Sequence, residues 1–107
     1  MTERDLERDV RDLLRWLGCY LQEWTYRPMG DMAAKKGTLD VVGCLMGKFF
    51  GIELKCPTAR RGLTPEQAAT IEAIRAAGGV AGEARSVEDV LALLAEIDPS
   101  VRERAKV

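Results

Sequence analysis

The dipeptide Met46-Gly47, set between two strand-like runs, constrains this chain more than any other feature. A two-residue loop with glycine in second place is a hairpin turn whose backbone twist matches the strands it joins, so it fixes their register. With Leu45 opposite Lys48, the register predicts Leu39 facing Leu54, Val41 facing Ile52 and Gly43 facing Phe50. Strand alternation then makes one face of the hairpin uniformly apolar. The other face carries Val42, Cys44, Phe49 and Gly51 and, at one end, Asp40, Glu53 and Lys55, with Asp40 directly opposite Glu53.

Two carboxylates facing each other across a hairpin have Cβ atoms about 4.5–5.5 Å apart and repel. At about 5 Å and an effective dielectric near 20 the repulsion is on the order of 3 kcal/mol, a sizeable part of a small domain's stability. A divalent cation turns that repulsion into attraction. Carboxylate and carbonyl ligands with water in the remaining positions suit Mg²⁺ or Mn²⁺. Lys55 lies two residues beyond Glu53 and therefore projects on the same side. An ammonium there can orient or deprotonate a water, or stabilise negative charge growing on a phosphodiester. The plainer alternative is a solvated salt-bridge cluster. Val42, Cys44 and Phe49 on the same face argue instead for a cleft partly covered by protein, where unpaired acids are costly.

Around the hairpin, Leu6, Val10, Leu13, Leu14 and Leu17 recur at helical spacing and predict an amphipathic helix over 3–17, with Thr2 as N-cap and Gly18 past its end. Cys19 to Tyr26 predicts a first strand, followed by a loop to Gly37. A second loop, Cys56 to Gly62, leads to Thr64-Pro65-Glu66-Gln67, a capping box with proline at the first helical position. That helix should end at Gly78-Gly79. Val80 to Arg85 predicts a fourth strand, and Ser86 caps a last helix with Val90, Leu91, Leu94 and Ile97 facing inward. Asp98-Pro99 closes it, and residues 99–107 are expected to form a loosely ordered tail. The fold expected is α/β: a small mixed sheet flanked by helices, with an antiparallel hairpin at its centre.

At 107 residues one core must serve the whole chain, a single domain spanning 1–107. No apolar run approaches the roughly 18 residues of a membrane span, and the charged N-terminus lacks a secretory signal's apolar stretch. A cytoplasmic location, in a bacterial or phage-infected cell or at the nucleoid, is therefore expected, with no membrane partner. Cys19, Cys44 and Cys56 have neither disulfide nor zinc spacing. The absence of histidine excludes histidine bases and histidine-ligated metals, so any metal must sit on carboxylates. A net charge of −1 means that a polyanion needs a local basic patch. Lys35-Lys36 and Arg60-Arg61, in the loops flanking the acidic end of the hairpin, are placed to supply one. Trp16, Trp24 and Tyr26 are read as core or interface residues rather than base-stacking platforms.

Gly37-Thr38-Leu39-Asp40, then Glu53-Leu54-Lys55, then Leu63-Thr64-Pro65-Glu66-Gln67, resemble the PD-(D/E)xK nuclease superfamily, and within it the small VRR-NUC and Holliday-junction-resolvase-like domains. The resemblance runs from the first helix to the strand after Gly78-Gly79. It departs at Leu39, where a proline often stands. It implies a restriction-endonuclease-like αβββαβ core, here with an extra C-terminal helix, and a Mg²⁺- or Mn²⁺-dependent endonuclease acting on DNA, structure-specific for branched or junction substrates. By the same resemblance Asp40 and Glu53 are metal ligands with the Leu54 carbonyl, and Lys55 is the catalytic lysine. A first-helix glutamate often completes such sites. Glu7, one turn deeper than Glu3, is the preferred candidate, and the alternative is that either offsets the helix dipole or pairs with an arginine. Gln67 is a water-positioning residue by resemblance and a helix cap by local chemistry. A symmetric homodimer on two-stranded DNA is expected, since one chain this small has little surface with which to grip a duplex. The rival expectation is a nucleic-acid-binding or assembly module of the same fold that has no turnover.

Overall fold

The computed structural model describes residues 2–23 and 37–106. Helix α1 spans Glu3–Trp16. The Asp5 N–H donates to the Thr2 hydroxyl and the Thr2 N–H donates to the Asp5 carboxylate, a capping box that satisfies two otherwise free donors. Leu6, Val10 and Leu14 form its buried stripe. The first strand, β1, is Tyr20–Leu21, and the last part of the predicted strand, 24–26, lies outside the described residues. One further bond, from the Gln22 N–H to the Val42 carbonyl at 2.8 Å, prolongs its pairing. Trp24, Tyr26, Lys35 and Lys36 lie outside the described residues.

The hairpin forms as its turn dictates. Strands β2 (Val41–Leu45) and β3 (Lys48–Leu54) pair from Leu45↔Lys48 to Val41↔Ile52, the predicted register. Met46 at φ 51° and Gly47 at φ 79° both take the left-handed conformation that a tight, twist-matched turn demands. The register departs from expectation only at its far end. Leu39 does not face Leu54 on the apolar face; it packs with Ile71 and Ala81 on the opposite side of the sheet. The reason is Asp40, whose Oδ2 accepts the Leu54 N–H at 2.9 Å, so that a side chain takes the next rung and the chain crosses over. Gly51 makes room for this crossing, because a Cβ there would lie 2.7 Å from Leu39 Cδ1 and 3.0 Å from Ile74 Cδ1.

Helix α2 (Pro65–Ala76), opened by the Thr64–Gln67 capping box, carries the chain over to β4 (Val80–Ala84), which runs parallel to β3. The result is one mixed four-stranded sheet in the order β1-β2-β3-β4. Helix α3 (Val87–Leu94) is capped by Ser86 as predicted. The tail, expected to be frayed or only loosely helical, forms a short helix, α4 (Val101–Arg104), in which Val101 is fully buried in the core and Arg104 donates to the Leu17 carbonyl.

One face of the sheet carries the main core, in which Val41, Phe50, Ile52 and Leu54 meet Leu6, Val10 and Leu14 of α1 and Val90 and Leu94 of α3. The other carries the smaller cluster of Leu39, Ile71 and Ala81 beneath α2. Glu53 belongs to this second face, as do Gly51 and Phe49. Trp16, expected in the core or at an interface, is 64% exposed, its indole N–H donating to the Arg104 carbonyl.

Candidate active site

Strand geometry delivers three of the residues singled out by sequence to one rim of the sheet. Asp40 stands immediately before β2, Glu53 is the penultimate residue of β3, and Lys55 is the first residue beyond it. The Asp40 N–H donates to Glu53 Oε1 at 3.2 Å, and Lys55 Nζ lies 3.7 Å from Glu53 Oε2. Glu53 is 5% exposed, the one charged residue so deeply placed among the described residues. Its carboxyl is pushed up to about 7, first by burial and then by the charge and hydrogen bond of Asp40, against the opposing pull of Lys55. Asp40 is raised as well, chiefly by burial, with Glu7 and Glu3 adding repulsion and the Leu54 N–H acting in the opposite direction. The Asp40 N–H bond to Glu53 and the Leu54 N–H bond to Asp40 tie the two acids to the same rim.

Leu54 lies between the second acid and the lysine. In a strand a residue's N–H and C=O leave on the same side, so the carbonyl of Leu54 is directed toward the side on which its N–H meets Asp40. Two carboxylates and one carbonyl on this rim are hard-oxygen donors of the kind Mg²⁺ or Mn²⁺ takes. Among the described residues no group of three or more His, Cys, Asp or Glu side chains is arranged to hold a metal ion, so a cation here would rely on the carbonyl and on water for its remaining positions.

The first-helix glutamates approach this rim without joining it. Glu7 is bound by Arg11, whose Nε donates to its Oε2 at 2.9 Å. Glu3 Oε2 accepts from the Cys56 N–H at 3.4 Å. Both are near enough to raise Asp40, Glu7 more than Glu3. Gln67 is engaged in its cap: Oε1 accepts from the Thr64 N–H at 3.0 Å and its own N–H donates to Thr64 Oγ1. Arg60 and Arg61 are exposed on the loop that follows Lys55.

Three residues that sequence reasoning passed over belong to the surroundings. Glu83 of β4 pairs in register with Glu53, a third acid along the same row, and is answered by Arg85 Nε at 3.2 Å. Arg85 also donates to the carbonyls of Cys56, Ala59 and Arg61 and so holds the loop that carries the arginine pair. Arg11 Nη2 donates to the Asp40 carbonyl at 3.0 Å. Alternation along Val80 to Arg85 was the available signal for Glu83; a contact from α1 to the start of β2 has no local signature.

No family model matches the chain, and no curated protein and no solved structure matches it. No helix among the described residues is long and apolar enough to cross a membrane.

Proposed function

We propose that this chain is a small metal-dependent endonuclease of the PD-(D/E)xK type that hydrolyses DNA phosphodiester bonds. The observation that carries the reading is the pairing of half-buried Asp40 with buried Glu53 beside the Lys55 ammonium, at 3.7 Å from Glu53. The element order α1, β1, β2, β3, α2, β4 is compatible with a restriction-endonuclease-like core. The donor chemistry fits Mg²⁺ or Mn²⁺, with Asp40, Glu53 and the Leu54 carbonyl as the protein's ligands. When bound, such an ion supplies a more acidic water and a polarised phosphoryl oxygen. The chain's own residues do the rest. Burial of Glu53 keeps its carboxylate short of solvent and eager for a cation. Lys55 holds the attacking water or stabilises the charge that develops on the phosphoryl group. The Arg60-Arg61 loop, held by Arg85, meets flanking phosphates and positions the strand without reading bases.

A homodimer acting on branched or two-stranded DNA extends this reading. It is favoured by an exposed apolar row on the face that bears Glu53, in which Tyr20 and Phe49 are 65% and 46% exposed on either side of Cys44, the register partner of both. A catalytically silent nucleic-acid-binding or assembly module of the same fold is the second reading, favoured by Glu7 being occupied with Arg11. Incubating the protein with linear, flapped, single-stranded and four-way-junction DNA in Mg²⁺, Mn²⁺ or EDTA separates the two. Metal-dependent nicking lost in Lys55→Ala supports the enzyme, while binding without cleavage in either metal supports the module. A monomer by light scattering at working concentration removes the dimer.

A further inference from the structure

Arg11 makes two hydrogen bonds where α1 meets the start of β2. Its Nε donates to Glu7 Oε2 at 2.9 Å and its Nη2 to the Asp40 carbonyl at 3.0 Å. Its Nη1 is buried with no hydrogen-bond partner among the described residues, and lies 3.9 Å from Glu23 Oε2. The side chain as a whole is 14% exposed. As a stability device this is a poor choice. A buried donor left unpaired costs about 1–3 kcal/mol, and an apolar side chain of similar volume often serves a core as well or better.

What the arrangement supplies is position. Asp40 stands where the ladder ends, past the last β2–β3 rung at Val41↔Ile52. Its peptide is held by its N–H on Glu53 and its carbonyl on Arg11. Its carboxylate keeps to the Leu54 N–H only while that peptide stays put. The second arm holds Glu7, which already repels Asp40, in an ion pair one helical turn away. We infer that Arg11 is the positioning residue of the acid site: by gripping the Asp40 peptide and holding Glu7 aside, it sets the affinity of the Asp40–Glu53 pair for a divalent cation. The inference rests on the reading of that pair as cation ligands.

Isothermal titration of the full chain with MnCl₂, on wild type, Arg11→Met and Arg11→Lys, tests it, with urea unfolding in EDTA for each. Wild type binds Mn²⁺, and Arg11→Met binds about 10–100-fold more weakly, the usual loss when a partner that orients a ligand is removed. Arg11→Lys recovers only part, because one ammonium cannot span Glu7 and the Asp40 carbonyl together. A purely structural role would move the urea midpoint and leave the folded protein's Mn²⁺ affinity unchanged. Wild-type affinity in both variants overturns the inference, and if Arg11→Met does not fold, Arg11→Lys decides on the same criterion. Absence of Mn²⁺ binding in wild type overturns the cation reading itself and this inference with it, an outcome told apart by wild type alone.

Discussion

Titrating the metal-free protein in urea from about pH 5 to about pH 8.5 forces a proton off the buried rim. The carboxyl of Glu53 stands at about 7 in the folded chain against an ordinary 4.5. A carboxyl raised by folding stabilises the protein fully below its unfolded value and loses that contribution as pH climbs through its folded value. At about 1.4 kcal/mol per tenfold change in proton affinity, the loss between about pH 4.5 and pH 7 is about 3 kcal/mol for Glu53 taken alone. Asp40 is raised too and adds loss of the same sign. Asp5, Glu23 and Asp98 are held low by hydrogen bonds, so their opposite trend falls in the acid range beneath this window. The urea midpoint in EDTA should therefore fall from about pH 5 to about pH 7 and level off above it, and Glu53→Gln should flatten most of the slope. Adding Mg²⁺ should restore stability at pH 8 and do little at pH 5, because a cation binds the ionised acid. A midpoint independent of pH above 5, or an equal slope in Glu53→Gln, would refute the claim that burial and Asp40 hold that proton.

Further outcomes follow from the same geometry. Lys55→Ala should leave DNA binding nearly intact and lower nicking by about 10²–10³-fold, the usual loss on removing one donor to developing charge, read in a plasmid-relaxation assay. Arg60→Ala/Arg61→Ala should weaken binding to all sequences and reduce the slope of log affinity against log salt by up to about 1.8, measured by fluorescence anisotropy. Gly51→Ala should lower stability by about 1–3 kcal/mol in urea, since its Cβ would meet Leu39 and Ile74 at 2.7 and 3.0 Å. Thr64→Ala, which removes the hydroxyl accepting the Gln67 N–H, should cost about 1 kcal/mol in the same assay.

Local chemistry was legible in the sequence wherever it acted locally. Met46-Gly47 fixed the hairpin register from Val41 to Ile52, and that register brought Asp40 to Glu53. Thr64 and Gln67 announced a cap that the structure forms bond for bond. What stayed hidden depends on contacts between distant segments. Alternation predicted Leu39 beneath Leu54, and it fails because Asp40's side chain substitutes for a backbone acceptor, an exchange that periodicity does not encode. The parallel pairing that sets Glu83 beside Glu53 has no turn to fix its register. The helical stripe brought Glu7 toward the sheet, but an arginine one turn on competes for it. Val101 stands four residues from Ala105 in an otherwise charged stretch, too little pattern to reveal a buried helix.

The surroundings of Asp40 and Glu53 also bear on whether the pair is structural. Asp40 by itself has a structural explanation: it accepts the Leu54 N–H, a service that asparagine performs without charge. Glu53 by itself has a weaker one, an ion pair with Lys55, although a buried pair of this kind seldom stabilises a fold more than well-packed apolar residues do. Neither explanation accounts for both together. Asp40 raises the energy of Glu53's ionised form, and among the described residues no arginine bridges Glu53 and the Asp40 N–H is its one backbone donor. Glu83, next along the row, shows how the fold treats an acid that it only needs to tolerate, since Arg85 answers it directly at 3.2 Å. A buried Glu53 set against Asp40, with only the looser Lys55 contact at 3.7 Å, is what the proposed outside cation would complete.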